Sequence, residues 1–561
     1  MRRFLAPFVF LYAPAIASMG AEAAPAEASS FSPANIRAHV EFLADDLLAG
    51  REPCTLGFDI AARYVATRFD GLGLEPAGDG GGWYQRVPLV ESSLVDGTAR
   101  LTVGAHGPAR GARLPASRAR QWANGTHVII SPSFLEPQLN VEAPVVFAGF
   151  GLDAPEHGFD DYRGLDVRGK VVAYLIGAPR GTPSEVGAHL VAEKQRMAEK
   201  HGALGVLALE TLATRKSFPW VRRLDTDTLA AVTWADAGGN PFVRAPGIRV
   251  AAALDETTTL ALFEGARVPY GKVLETADRT GARPRGFPLS TRVRVEAHSR
   301  LRAFDSLNVL GRIPGTDPRL QGEAVLMMAH LDHVGLRPLE RDAGVADGAV
   351  DRILNGAEDN AMGVAVMLEV ARAMRTAGVR PRRSVVFFAT TAEEKGLIGA
   401  DYFAHRPTVP LERIVAALNL DMPLLTYDFV DVIAFGAEHS TLGARVVVVA
   451  QSNGVKLSPD PMPEQGIFTR SDHYALVKRG IPAVFFATGQ GGAGKLAWEA
   501  FLTKHYHQPS DDITLPFNWS AAARFARING QLLTDIANAD ERPAWLRGDF
   551  FGDTFARDTS R

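Results

Sequence analysis

The chain has 561 residues, 46% of them hydrophobic and 22% charged, a make-up that excludes a disordered or fibrous protein. That length exceeds one ordinary core, so two or more globular units are expected. A formal net charge of -3 with a pI near 6.6 removes the electrostatic case for nucleic acid or anionic lipid as a partner.

Along the chain, Arg2 and Arg3 precede an apolar run from Phe4 to Ala17 and the small-residue stretch Ala21-Glu22-Ala23, the pattern of an export signal cleaved near Ala23. The run is shorter than the roughly 20 residues of a spanning helix. The mature chain is therefore expected to be soluble, with no membrane contact, in the periplasm or outside the cell. Amphipathic helical runs begin at Ile36 and at Ile60, and residues 76–82, rich in Gly and Pro, end them. Cys54 is the single cysteine, so no intramolecular disulfide forms and any zinc must be held mainly by His, Asp and Glu.

Residues 105–290 read as a compact α/β insert, with β-type runs at 144–148 and 170–175, a helix over 185–202 and a strand over 205–209. From Thr291 onward strands and helices alternate: strands at 324–329, 385–389, 414–420 and 483–487, and a helix over 361–374. This predicts a three-layer α/β/α domain on a mixed, mostly parallel sheet. The expected division is a leader over 1–23, an N-terminal segment over 24–104, the insert over 105–290, the main α/β domain over 291–540 and a tail over 541–561.

Five segments with histidine or acidic residues sit where these elements begin or end, the usual location of ligand sites in open α/β sheets. They are Ala329-His330-Leu331-Asp332-His333, the stretch 356–363 with Glu358, Asp359 and Asn360, Thr391-Ala392-Glu393-Glu394, Asn419-Leu420-Asp421-Met422 and the stretch 506–511 with Tyr506, His507 and Asp511. Each has an ordinary structural explanation alone. Asp359 or Asn360 could simply cap a helix, and adjacent glutamates are usually solvated. Jointly, two histidines and three carboxylates make a donor set suited to a pair of zinc ions. One glutamate of the 393–394 pair could bind metal while the other moves protons. Residues 489–496 nearly fit a phosphate loop, but Leu496 stands where Ser or Thr is required, so the stretch reads as a flexible loop at the cleft rim. Neither H-E-x-x-H nor G-x-S-x-G occurs.

The stretches AHLDHVG, NGAEDNAMG, TAEEKGLIGA, LNLDM, TRSDHYALVKRGIPAVFF and YHQPSD resemble the dizinc exopeptidase family that includes secreted bacterial aminopeptidases and glutamate carboxypeptidase. The likeness extends to FLADDLLAGREPCTLGFDIAARYVATRF. The insert resembles a protease-associated domain. The resemblance implies that His330, Asp359 and Asp421 bind one zinc, and that Asp359, Glu394 and His507 bind the other, with Asp359 bridging. It implies Glu393 as general base, Asp332 as the residue orienting His330, and Tyr506 as a stabiliser of the tetrahedral intermediate. Cobalt or manganese could replace zinc, and the partner would be a peptide substrate. The activity implied is aminopeptidase. A carboxypeptidase, a dipeptidase, a cyclase-type reaction or a non-catalytic binding protein on the same scaffold stay open. Met362, His505 and Cys54 depart from the family's common Ser, Asp and Gly. Side-chain preference and oligomeric state are not readable.

Overall fold

The computed structural model describes residues 31–105, 119–227, 230–337 and 351–556. The expected export signal lies outside them. No helix among the described residues is long and apolar enough to cross a membrane.

The principal sheet contains β1 (Tyr84–Leu94), β2 (Phe287–Ile313), β3 (Ala324–His330), β4 (Ser384–Thr390), β5 (Ile414–Leu420), β6 (Asp431–Phe435) and β7 (Ala483–Thr488). Their spatial order is β1-β2-β4-β3-β5-β7-β6. The four central strands β4, β3, β5 and β7 run parallel, with antiparallel neighbours on both sides. Every residue of these four strands is buried, as expected for parallel strands covered on both faces. Phe387 and Phe388 show how. Consecutive strand residues point to opposite faces. Phe387 meets Phe69 of the helix Leu56–Gly71, and Phe388 meets Phe403 of the helix Ile398–His405. Three layers result, as the alternation predicted.

The first part of β2 belongs to a second sheet. It pairs with Arg100–Ala105 and with Gln138–Phe147, which continues to Val171–Leu175, Gly205–Leu209 and Val250–Leu254. This sheet has its own apolar clusters, one around Phe147, Phe263 and Phe287 and another around Val146 and Val172. The exchange between sheets falls within β2, near His298–Ser299. The sheets are also tied by Ala231–Trp234, which leaves the insert to pair with β1 at the edge of the principal sheet. The helix expected over 185–202 breaks at Glu193 into Ser184–Ala192 and Lys194–Lys200.

Two further segments take defined form here. The tail expected over 541–561 is ordered as far as it is described. Asp549 caps the helix Phe550–Phe555, whose Phe551 is fully buried. The 489–496 stretch is not a free rim: Gly491 N–H donates to Asp431 Oδ1 (2.9 Å) and a helix begins at Gly494.

His439 fastens three parts of the chain. Its Nε2 is 2.7 Å from Glu185 Oε2 on the insert helix, and its Nδ1 is 2.6 Å from Asp549 Oδ2. Burial works to lower its pKa, but Glu185 and Asp549 outweigh burial and raise it from the usual 6.5 to about 9. A raised folded pKa means the imidazolium's contribution is complete below pH 6.5 and is lost as pH climbs through 9. We expect His439→Ala to cost on the order of 3 kcal/mol at neutral pH. The gap from wild type should narrow above pH 9, as read from chemical unfolding at several pH values.

Cys54 has φ 68°, in the left-handed region, which explains physically why glycine suits this position. Its Sγ donates to the Asp305 carbonyl (2.8 Å), and burial pushes the thiol's pKa up to about 12. It therefore stays a thiol. Cys54→Gly should raise stability by about 1 kcal/mol through relief of the backbone. A lowered urea midpoint would mean that the thiol contact outweighs the strain.

Candidate metal centre

The strand register assembles the site. In the parallel pairing His330 lies opposite Thr390, and Met328 opposite Asn419. His330, the Thr390–Glu394 turn and Asp421 therefore emerge together at the carboxyl edge. Asp359 arrives from the segment before the helix Gly363–Thr376, and His507 from the loop before Trp519–Asn538.

Two donor sets form around one shared carboxylate. His330 Nε2 is 3.2 Å from Asp421 Oδ1 and 3.3 Å from Asp359 Oδ1. His507 Nε2 is 3.3 Å from Asp359 Oδ2 and 3.2 Å from Glu394 Oε2. Asp359 thus turns one oxygen to each histidine. Together the residues make two groups of the size that holds a metal ion, His330/Asp359/Asp421 and His333/Asp359/Glu394/His507. His507 Nε2 and Glu394 Oε1 are buried without hydrogen-bond partners, an arrangement that costs about 1–3 kcal/mol per atom unless a cation is there to satisfy it. The nitrogen and oxygen donors and their spacing fit a divalent cation such as zinc.

The carboxylates dominate the local field. Burial acts to lower the pKa of His507, yet Glu394 and Asp359 raise it to about 10. Burial, together with the neighbouring carboxylates of Asp421 and Glu394, holds Glu393 well above the ordinary glutamate range, although His330 acts against them. Glu393 lines a cavity of about 670 Å³ that extends from Glu394 and Arg470 to Phe134, Trp234 and Arg249 of the insert segment. Tyr506 stacks on His507, ring centroids 3.9 Å apart.

Asp332 behaves differently from the expectation that its carboxylate orients His330. The nitrogen of His330 that turns away from the donor set, Nδ1, lies 3.1 Å from the Asp332 main-chain carbonyl. The Asp332 carboxylate instead accepts from the amides of Glu393 and Glu394, at 3.1 and 3.3 Å. Two residues beyond the strand end, the chain turns its carbonyl back to the imidazole and its side chain across to the next strand's exit. Asp332 therefore positions both segments. The helix-cap alternative resolves by residue: Asn360 Oδ1 accepts from Gly363 N–H (3.1 Å), which leaves Asp359 for the donor sets.

Several supporting residues escaped the sequence reading. Ser471 Oγ donates to Asp421 Oδ2 (2.6 Å). Asp511 accepts from the Glu358 and Asp359 amides. Buried Arg51 donates to the carbonyls of Leu331, Asn355 and Gly356, tying the His330 exit to the Asp359 segment. Their signal was membership in the matched stretches, without any chemical role to read. His333 is the fourth omission.

Residues 308–533 match the family model described as Peptidase family M28, a segment that includes every donor above. Aminopeptidase NAALADL1 of Mus musculus is 34% identical over 152 residues, 26% of this chain and 18% of that protein. The protein named probable leucine aminopeptidase 2 of Aspergillus oryzae is 26% identical over 226 residues, 37% of this chain and 40% of its own length. The chain thus matches under half the length of these curated relatives. An aminopeptidase structure from Aneurinibacillus sp. strain AM-1 shares the fold, with a TM-score of 0.50 at 19% identity over 91% of this chain and 96% of that one. The fold and the matched segment point the same way: residues 308–533 are similar to Peptidase family M28.

Proposed function

We propose that this chain is an exported aminopeptidase that removes N-terminal residues from peptides with two zinc ions. The observation that carries this reading is the shared Asp359, one oxygen toward each of two histidine-bearing donor sets, beside a cavity bordered by Glu393. His330, Asp359 and Asp421 would hold one cation, and Asp359, Glu394 and His507 the other. Bound there, the pair would polarise a scissile carbonyl and lower the pKa of water at the site.

Glu393 accepts the proton of the attacking water at its carboxylate and passes it to the leaving amine nitrogen. A carboxyl at the border of the cavity, outside both donor sets, is free to make both transfers. Asp332 fixes the turn that carries Glu393. Tyr506, fixed by its stack on His507, donates its hydroxyl to the developing oxyanion.

The insert segment supplies one wall of the cavity. We read it as a protease-associated domain that limits access to short or flexible peptides. Names of relatives that include aminopeptidases support the choice of terminus. Leucine p-nitroanilide should be hydrolysed and an N-blocked peptide with a free carboxylate should not. The reverse preference would establish a carboxypeptidase on the same site.

A further inference from the structure

His333 is fully buried three residues after His330, and neither ring nitrogen has a hydrogen-bond partner. Its Nδ1 is 2.8 Å from Glu394 Oε1 and 3.9 Å from Asp359 Oδ2. Glu394 Oε1 is likewise without a hydrogen bond. A nitrogen and an oxygen this close, yet not aligned to share a proton, have the arrangement of two ligands directed at one cation rather than at each other. The ring also packs edge-on to His507, centroids 5.4 Å apart.

The ring's place is built in. Gly356 has φ 59°, and a Cβ there would lie 2.6 Å from the His333 ring. Glycine at this turn gives the imidazole its room, and Arg51 secures the turn through the Gly356 carbonyl (3.0 Å). His473 provides the contrast. It too is buried with unpaired nitrogens, but its ring lies against Phe468 and Phe485 and no metal-sized donor group among the described residues includes it. His333 faces two carboxylates.

We propose that His333 is a fourth protein donor of the second metal position, beside Asp359, Glu394 and His507, an inference that rests on the two-metal reading above. The two positions are then unequal. Four protein donors fill a tetrahedral site, whereas His330, Asp359 and Asp421 leave one place for water or substrate. The second position is the tightly held one and would join the reaction only by expanding to five ligands, whereas ready exchange with solvent belongs to the first.

The test replaces His333 with a ligand that announces itself. The full chain carrying His333→Cys, loaded with cobalt, should show a thiolate-to-cobalt charge-transfer band absent from wild type. Cys54, the single native cysteine, contributes no background while its thiol stays on the Asp305 carbonyl. His333→Ala should weaken the more chelator-resistant cation by more than 100-fold, beyond the roughly 10–100-fold that loss of an orienting partner produces. If neither variant folds, a zinc-edge anomalous map of wild-type crystals decides. It should place a His333 nitrogen about 2.0–2.1 Å from the ion. Two bound cations with His333 outside coordination distance, or a cobalt-loaded His333→Cys without the band, would overturn this inference alone. A wild-type chain that binds no divalent cation overturns the two-metal reading and this inference with it.

Discussion

Glu393→Gln is expected to lower kcat by about 10²–10⁴-fold with the metal content unchanged. Glu393 belongs to neither donor group, so the amide should not disturb cation binding. Glutamine also preserves volume and keeps the main-chain N–H that donates to Asp332, so the turn should keep its shape. What disappears is a group able to take a proton from water and return it to an amine. KM should change little, because the lost interaction acts on the proton in flight. Metal content by mass spectrometry together with steady-state kinetics checks both halves. A variant that retains kcat would remove Glu393 from the chemistry, and one that loses metal would make it a ligand.

Asp359→Ala should have the broadest effect of any single change. One Asp359 oxygen faces His330 and the other faces His507, so truncation takes a donor from both sets at once. It also leaves His330, Asp421, Glu394 and His507 crowded without the group that spaces them. We expect retained metal to fall from two cations per chain to one or none, with activity reduced by more than ~10³-fold, since loss of the metals removes both Lewis acidity and an activated water. Asp359→Asn separates bridging from folding. It preserves volume and the amide accepted by Asp511 but offers a single oxygen, so one cation should survive. Equal metal content in Asn and Ala variants would show that bridging is not what Asp359 does.

The legible parts of this molecule were those with local signatures. The strand at 414–420 was bounded to the residue, because a short apolar run ending in an acidic residue has few alternatives. The five proposed ligands are readable because each lies at or close to the end or start of an element, and parallel register brings the strand ends level. Long-range placement was not readable. Nothing in the sequence tells a carbonyl from a carboxylate as His330's partner, and it is the Asp332 carbonyl that faces the imidazole while its carboxylate accepts from the Glu393 and Glu394 amides. Nor could it show that β2 runs unbroken through two sheets, or that Ala231–Trp234 leaves the insert to join the principal one. His333 stood in plain view within AHLDHVG. It went unread because its meaning depends on Glu394 and on the space left by Gly356, and both are distant in the chain.

The unequal division of donors has a consequence for removal of the metals. Graded chelation should strip the His330/Asp359/Asp421 position first, and activity should follow that loss rather than the second. The decisive measurement is metal content and leucine p-nitroanilide hydrolysis on the same sample through exhaustive chelation and zinc restoration. The account predicts two divalent cations per chain at the start, one at each donor group, activity abolished on removal and recovered on addition of zinc. Undiminished hydrolysis by a metal-free chain would contradict it.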